Sequence, residues 1–236
     1  MSTTNRMQTT PGALAARLTP RPEVVFMDCD GVIFDSNLAK CRAYEIALAE
    51  YPADAVAELV AWHQATGGIS RFVKLERFFR EMCPVADPDA AKAGALARFS
   101  DASVAAYREL VPRPEALAFA RALGGPERVF VVSGGAQVEL AQVFADAGVA
   151  DVFAAILGSP VTKDVHMTSV LTARGVAPER ALLVGDGRGD WEAAAKVGVP
   201  FVYLAEMSEW QAAPDLLGPD VAVAARWVDL LAAAGL

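Results

Sequence analysis

The sequence predicts an α/β fold, a doubly wound, Rossmann-like parallel sheet into which an α-helical domain is inserted. Three observations carry this. Short apolar runs of the kind that form buried parallel strands recur at VVFMD (24–28), RVFVVS (128–133), AAILGS (154–159), ALLVGD (181–186) and PFVYL (200–204). After the second, third and fourth runs come segments of helical composition, AQVELAQVFADAG from Ala136, KDVHMTSVLTARG from Lys163 and DWEAAAKVG from Asp190. Such alternation marks a parallel sheet. The rhythm breaks once, between the first run and the second, where residues 29–127 far exceed what a single crossover helix needs.

Taken in order, residues 1–22 (MSTTNRMQTTPGALAARLTPRP) hold Thr and Arg but no acid, and lack the apolar centre of a secretory signal. They read as a flexible N-terminal tail. The first run enters the sheet, so residues 23–36 are assigned to the core. From Asn37 to Leu110 apolar residues recur at helical spacing, as in Phe72, Leu75, Phe79 and Met82. Residues 37–112 are therefore expected to form a helical cap, joined to the sheet through residues 35–38 and 111–114. There the two prolines of VPRP return the chain to the core, which residues 113–236 complete.

At 236 residues the chain is long enough to bury a sizeable core, and 54% hydrophobic with 21% charged residues is the composition of a soluble globular protein. With 21 Lys and Arg against 29 Asp and Glu, a net charge of −8 favours neither nucleic acid nor an anionic membrane as partner. No apolar run approaches membrane-spanning length. Cys29, Cys41 and Cys83 are odd in number and show no CxxC spacing, so they suggest neither a disulfide framework nor a zinc site and fit a reducing cytoplasm. Nothing in the pattern fixes an oligomeric state.

Polar residues gather at the carboxyl ends of the runs, where ligands of such sheets sit. Asp28-Cys29-Asp30-Gly31 ends the first run, VVSGG (131–135) ends the second, and Lys163 follows the third. Gly185-Asp186-Gly187-Arg188-Gly189-Asp190 ends the fourth. Aspartates offer the hard oxygen ligands that magnesium takes, and lysine is a flexible point cation. Together they suit phosphate chemistry. A carboxylate attacking a phosphate dianion meets repulsion of about 4 kcal/mol per charge pair at contact, with an effective dielectric near 20, so cations must stand beside it. Ser133 and the Gly134 amide, expected at a helix N-terminus, make a natural phosphate cradle. Asp28 and Asp30 face the same side unless the chain turns between them.

These four ordered motifs resemble those of the haloacid dehalogenase-like (HAD) hydrolase superfamily, and the helical insert resembles its type 1 cap. The resemblance implies a phosphoric monoester hydrolase that uses magnesium and an aspartyl-phosphate intermediate. It implies Asp28 as nucleophile and metal ligand, and Asp30 as general acid and base with its carbonyl on the metal. Asp186 would be a further ligand, with Asp190 supporting the metal through water or through Lys163. Ser133, Gly134, Lys163 and the backbone amide of Cys29 would hold the phosphoryl group. A dehalogenase would lack Asp30, whose presence favours phosphate esters. Gly187 departs from the Ser or Thr that family members often carry.

Within the cap, TGGISRFVKLERFF (66–79) resembles the specificity loop of phosphoglycolate phosphatase-like and β-phosphoglucomutase-like members. Arg71 and Lys74 share a helix face near its start, where cations oppose the helix dipole. An anionic or hydroxyl-rich substrate end is the functional reading, and a solvated basic face shared with Arg77 and Arg80 the structural one. The expected substrate is a small phosphorylated metabolite, a sugar phosphate or a phosphoglycolate-like molecule. A β-phosphoglucomutase-like phosphomutase and a catalytically silent phosphate-binding or regulatory protein stand as alternatives. Phe34, where the mutases usually carry Thr, favours hydrolysis. A phosphonate hydrolase would need a Schiff-base lysine, and Lys40 and Lys74 read as ordinary surface lysines. Asp35 reads as an anchor of the turn into the cap, His63 and His166 as structural or surface residues, and Trp62, Phe72, Phe78 and Phe79 as cap core. Arg188 either contacts substrate or balances the neighbouring acids.

Overall fold

Six strands, all parallel, form one sheet in the order β3-β2-β1-β4-β5-β6, in a computed structural model that describes residues 7–218 and 221–236. They are β1 (Val24–Met27), β2 (Val129–Ala136), β3 (Ala155–Ser159), β4 (Ala181–Gly185), β5 (Phe201–Leu204) and β6 (Ala222–Ala224). Helices cover both faces, which is why the central strands read as continuous apolar runs rather than as alternating ones. Side-chain alternation divides the core in two. Val25 and Met27 point into one layer with Phe144, Phe119 and Trp227, whereas Val24 and Phe26 point into the other with Met167, Leu171 and Ala194. The first layer is closed by α6 (Pro114–Ala122), α7 (Gln137–Asp146) and α11 (Trp227–Ala233), the second by α8 (Lys163–Arg174), α9 (Arg188–Val197) and the short α10 (Ala213–Leu216).

Residues 7–22 correct the expectation of a flexible tail. Pro11–Leu18 form helix α1, with Pro11 at its start, and both Leu14 and Leu18 are buried in the first core layer. The Thr10 amide donates to Val223 O at 3.0 Å, tying the segment to β6. Isolated polar and small residues hid this, because the apolar face that matters is two leucines four apart. The part of that expectation covering residues 1–6 lies outside the described residues. The three-residue β6 is too short for a sequence pattern to reveal.

Between β1 and α6 stand α2 (Asn37–Ala47), α3 (Ala53–Ala65), α4 (Arg71–Arg77) and α5 (Pro88–Tyr107), with one π turn, Phe78–Met82, extending α4. They surround a cluster of their own containing Tyr44, Leu59, Leu75, Phe78, Phe79 and Phe99. Phe72, expected in that core, is 37% exposed. The outgoing and returning chains lie side by side, since the Arg113 amide donates to Ile33 O at 2.8 Å. Among the described residues, no helix is long and apolar enough to cross a membrane.

Candidate active site

Register brings the acidic loops together. Met27 of β1 pairs with Val131 of β2 and with Val184 of β4, so the loops after these strands emerge level at one edge of the sheet. The Asp28 amide continues the ladder by donating to Val184 O at 2.9 Å. Its carboxylate, 2% exposed, meets Lys163, the first residue of α8, whose Nζ donates to Asp28 Oδ1 at 2.6 Å and also to Asp190 Oδ1. Asp190, in the first turn of α9, accepts the Gly187 amide on Oδ2 at 3.0 Å. Asp186 accepts from Asn37 Nδ2 at 2.9 Å, and that same amide reaches Met207 O.

Asp28, Asp186 and Asp190 each offer an oxygen within 4.8 Å of the others, all of them buried. One ammonium is paired with two of these three carboxylates. Burial first, and then the Asp190 charge, pushes Asp28 up to about 7; burial followed by Asp28 raises Asp186 well above the usual carboxylate range. Burial works against the charged form of Lys163, but Asp190 and Asp28 outweigh it and hold the amine well above its ordinary value. A crowded, desolvated set of hard oxygens short of positive charge fits a divalent cation. Both Asp190 oxygens are engaged by Lys163 and Gly187, which leaves Asp28 and Asp186 the freer ligands. The Asp30 carboxylate is not in this cluster.

Asp30 faces the helical layer. The chain turns after Cys29, whose carbonyl accepts from the amides of Ile33 and Phe34, and Gly31 takes φ +73°. The Asp30 carboxylate is ion-paired with Lys40 of α2 and hydrogen-bonded by the hydroxyls of Ser36 and Tyr107. Burial alone would raise its pKa, yet the Lys40 charge and those donors bring it down to about 2. Lys40 is thus no ordinary surface lysine. The sequence offers only a weak signal for it, a lysine one helical turn after Ser36.

Ser133 is buried and its Oγ accepts the Gly135 amide at 3.0 Å. Gly134 does not open a helix as expected: β2 runs on to Ala136, with an irregular register between Val132 and Ala136, and α7 starts only at Gln137. Glycine at this point serves a close approach instead. A Cβ on Gly134 would lie 2.7 Å from Gly68 O of the loop before α4, and one on Gly189 would lie 2.7 Å from Gly67 O. The Gly189 amide donates to that Gly67 carbonyl at 2.9 Å. A Cβ at Gly187 would come within 2.9 Å of the same peptide, a physical reason for glycine there. Cys29 turns its side chain into the first core layer, its Sγ 3.9 Å from Tyr107 Oη.

The pocket above these loops encloses about 590 Å³ of empty space, part of it open to solvent, and is lined by Asp28, Asp30, Gly134 and Asp186 from the core and by Lys40, His63, Gln64 and Arg71 from the helical layer. Arg71 borders it, but its guanidinium pairs with Glu139 of α7 at 2.7 Å and stacks over Phe99. Lys74 is fully buried and does not line the pocket. Its amine contacts His63 Nδ1 at 2.7 Å and donates to Thr66 O at 3.1 Å, and burial followed by the Lys40 charge lowers its pKa to about 7. His63 therefore packs Lys74 and lines the pocket. Glu209, from the segment after β5, also lines it and accepts from Gln64 Nε2 at 3.2 Å. No sequence motif marks Glu209, Glu139, Asn37 or Tyr107. Arg188 is paired with Glu192 one turn along α9 and is 45% exposed. Asp35 is exposed, and Ser36 holds the turn in its place. His166 Nε2 contacts Gly158 O at 2.9 Å.

A parallel α/β sheet with an acidic, lysine-bearing edge beneath a helical layer defines a class, that of the core-and-cap hydrolases. The family model for haloacid dehalogenase-like hydrolases matches residues 22–198, and the chain belongs to that family. A comparison with curated proteins finds no match. Among solved structures, a haloacid dehalogenase-like hydrolase from Streptococcus pneumoniae is similar at 19% identity and TM-score 0.68, over 89% of this chain and 97% of that one. A predicted phosphoglycolate phosphatase from Haemophilus somnus is similar at 18% identity and TM-score 0.69, over 89% and 96%. CbbY from Rhodobacter sphaeroides, in complex with xylulose 1,5-bisphosphate, is similar at 21% identity and TM-score 0.59, over 78% and 86%.

Proposed function

We propose that the protein is a magnesium-dependent phosphatase that hydrolyses a small phosphorylated metabolite through an aspartyl-phosphate on Asp28. The observation that carries this reading is the buried Asp28 carboxylate held between Lys163 and the Asp186–Asp190 acids, with Asp30 on the same pocket. Magnesium, bound by Asp28 and Asp186 with Asp190 and the Asp30 carbonyl in support, would neutralise charge on the phosphoryl oxygens. Lys163 adds a point charge on the other side. Ser133, the Gly134 amide and the Cys29 amide hold the phosphoryl group. An Asp28 oxygen forms the bond to phosphorus as the ester oxygen leaves, and the leaving oxygen takes its proton from the Asp30–Lys40 pair. Asp30 then draws a proton from the water that attacks phosphorus and frees Asp28, a role worth about 10² to 10⁴ in rate.

The phosphoglycolate phosphatase and CbbY neighbours support small phosphorylated substrates for this chain. Its three free cysteines support a place in the cytoplasm. The test is phosphate release from a panel of sugar phosphates, phosphoglycolate, nucleotides and an aryl phosphate, with magnesium and with chelator. Release should need magnesium and vanish in folded Asp28→Asn. Full activity in that variant would sink the reading.

A further inference from the structure

We propose that Glu209, with Gln64, selects the substrate by charge: the leaving-group end of the pocket takes a neutral, hydroxyl-bearing group and disfavours one that carries a second anion. This rests on the phosphatase reading above and narrows its substrate class. A second anion needs a cation to meet, and the cations of this pocket are engaged. Lys40 is paired with Asp30, and Arg71 with Glu139. Lys74 stands behind His63 and is absent from the wall. Burial, followed by the Lys74 charge, holds His63 well below its usual pKa, so the imidazole adds no positive charge.

Glu209 is different. It reaches from the core segment after β5 across to the helical layer, and among the described residues its carboxylate forms no ion pair. Its partners are the Gln64 amide at 3.2 Å and the Cys41 thiol at 3.8 Å, both neutral. A carboxylate without a countercharge on the wall repels a second anion. The same carboxylate accepts strong, charge-assisted hydrogen bonds from hydroxyls, and the Gln64 side chain beside it both donates and accepts. A leaving group with hydroxyls therefore finds partners where a carboxylate or second phosphate finds repulsion.

Glycerol 3-phosphate and 3-phosphoglycerate test this, since they share a three-carbon skeleton and differ in a terminal hydroxymethyl against a carboxylate. In the magnesium-loaded wild type, kcat/KM should favour glycerol 3-phosphate by about tenfold or more, and Glu209→Gln should shrink that ratio about tenfold, partly by raising turnover of 3-phosphoglycerate. A general structural defect would lower both substrates together and leave the ratio where it was. An equal or reversed wild-type ratio, or a ratio that Glu209→Gln leaves unchanged, overturns the inference while an aryl phosphate that is still hydrolysed keeps the phosphatase reading standing. Hydrolysis of the aryl phosphate with release from neither probe also overturns it. No release from any compound removes both.

Discussion

Gly189→Ala separates closure of the helical layer from stability of the core. A Cβ at this position would lie 2.7 Å from Gly67 O, 3.1 Å from Gly68 C and 3.2 Å from Gly68 Cα. All three are backbone atoms of the loop before α4, so no side chain can rotate away and the loop itself must retreat. That also lengthens the hydrogen bond from the Gly189 amide to Gly67 O, now 2.9 Å. Overpacking of this kind costs about 1–3 kcal/mol. If turnover requires the loop to be seated, kcat/KM falls by about fivefold to 150-fold, at 1.4 kcal/mol per factor of ten. Gly189 is the second residue of α9, so the preference of up to about 1 kcal/mol for alanine over glycine in a helix interior offsets this only in part. The expected result is therefore unequal: a melting temperature at or modestly below wild type, and phosphate release well below it. A useful control is Gly94→Ala in the middle of α5, whose Cβ meets only the Arg98 guanidinium at 3.4 Å and should stabilise without loss of activity. Unchanged kcat/KM in a folded Gly189→Ala protein would refute the requirement for this close approach.

Other expectations concern the helical layer. Lys74 binds its proton only below about 7 in the folded protein, against the usual lysine value of 10.5, so between those values the unfolded chain carries more protons and stability rises with pH. Lys74→Met should flatten that slope, which urea midpoints at several pH values would read; an unaltered slope would show that another group causes it. Arg71→Ala leaves the Glu139 carboxylate with the Ser100 hydroxyl as its remaining side-chain partner among the described residues and should destabilise by roughly 1–3 kcal/mol. Because this pair joins α4 to α7, the loss should appear in KM as well as in the denaturation midpoint, and an effect on neither would place the contact outside the closed arrangement.

The core was readable from the chain because its strands are covered on both faces and so appear as uninterrupted apolar runs, each ending in the residues the loops present. Asp28, Ser133 and Asp186 could be placed on this basis, since a parallel sheet puts the carboxyl ends of its strands at one edge, whereas Lys163, which opens α8, came with the family resemblance. Local pattern fails where the stabilising partner is remote. Helix α1 buries Leu14 and Leu18 in the core, with Ala13 beside them, and its docking on β6 joins residues more than two hundred positions apart, as the Thr10 and Val223 contact shows. Gly134 was expected to open a helix, but β2 keeps pairing with β3 as far as Ala136, a choice made by the neighbouring strand and not by the glycines.

Charge in the pocket divides the same way. The sequence by itself determined which ionisable groups are present and that acids outnumber the lysine at the sheet edge, because strand ends are set by local apolar pattern. Only the tertiary structure decided which charges cancel. Lys40 meets Asp30, Arg71 meets Glu139 and Glu209 forms no ion pair among the described residues because the helical layer is seated on the core in one particular way. Pairing energy depends on separation and burial, and neither quantity is written in the spacing of residues along the chain.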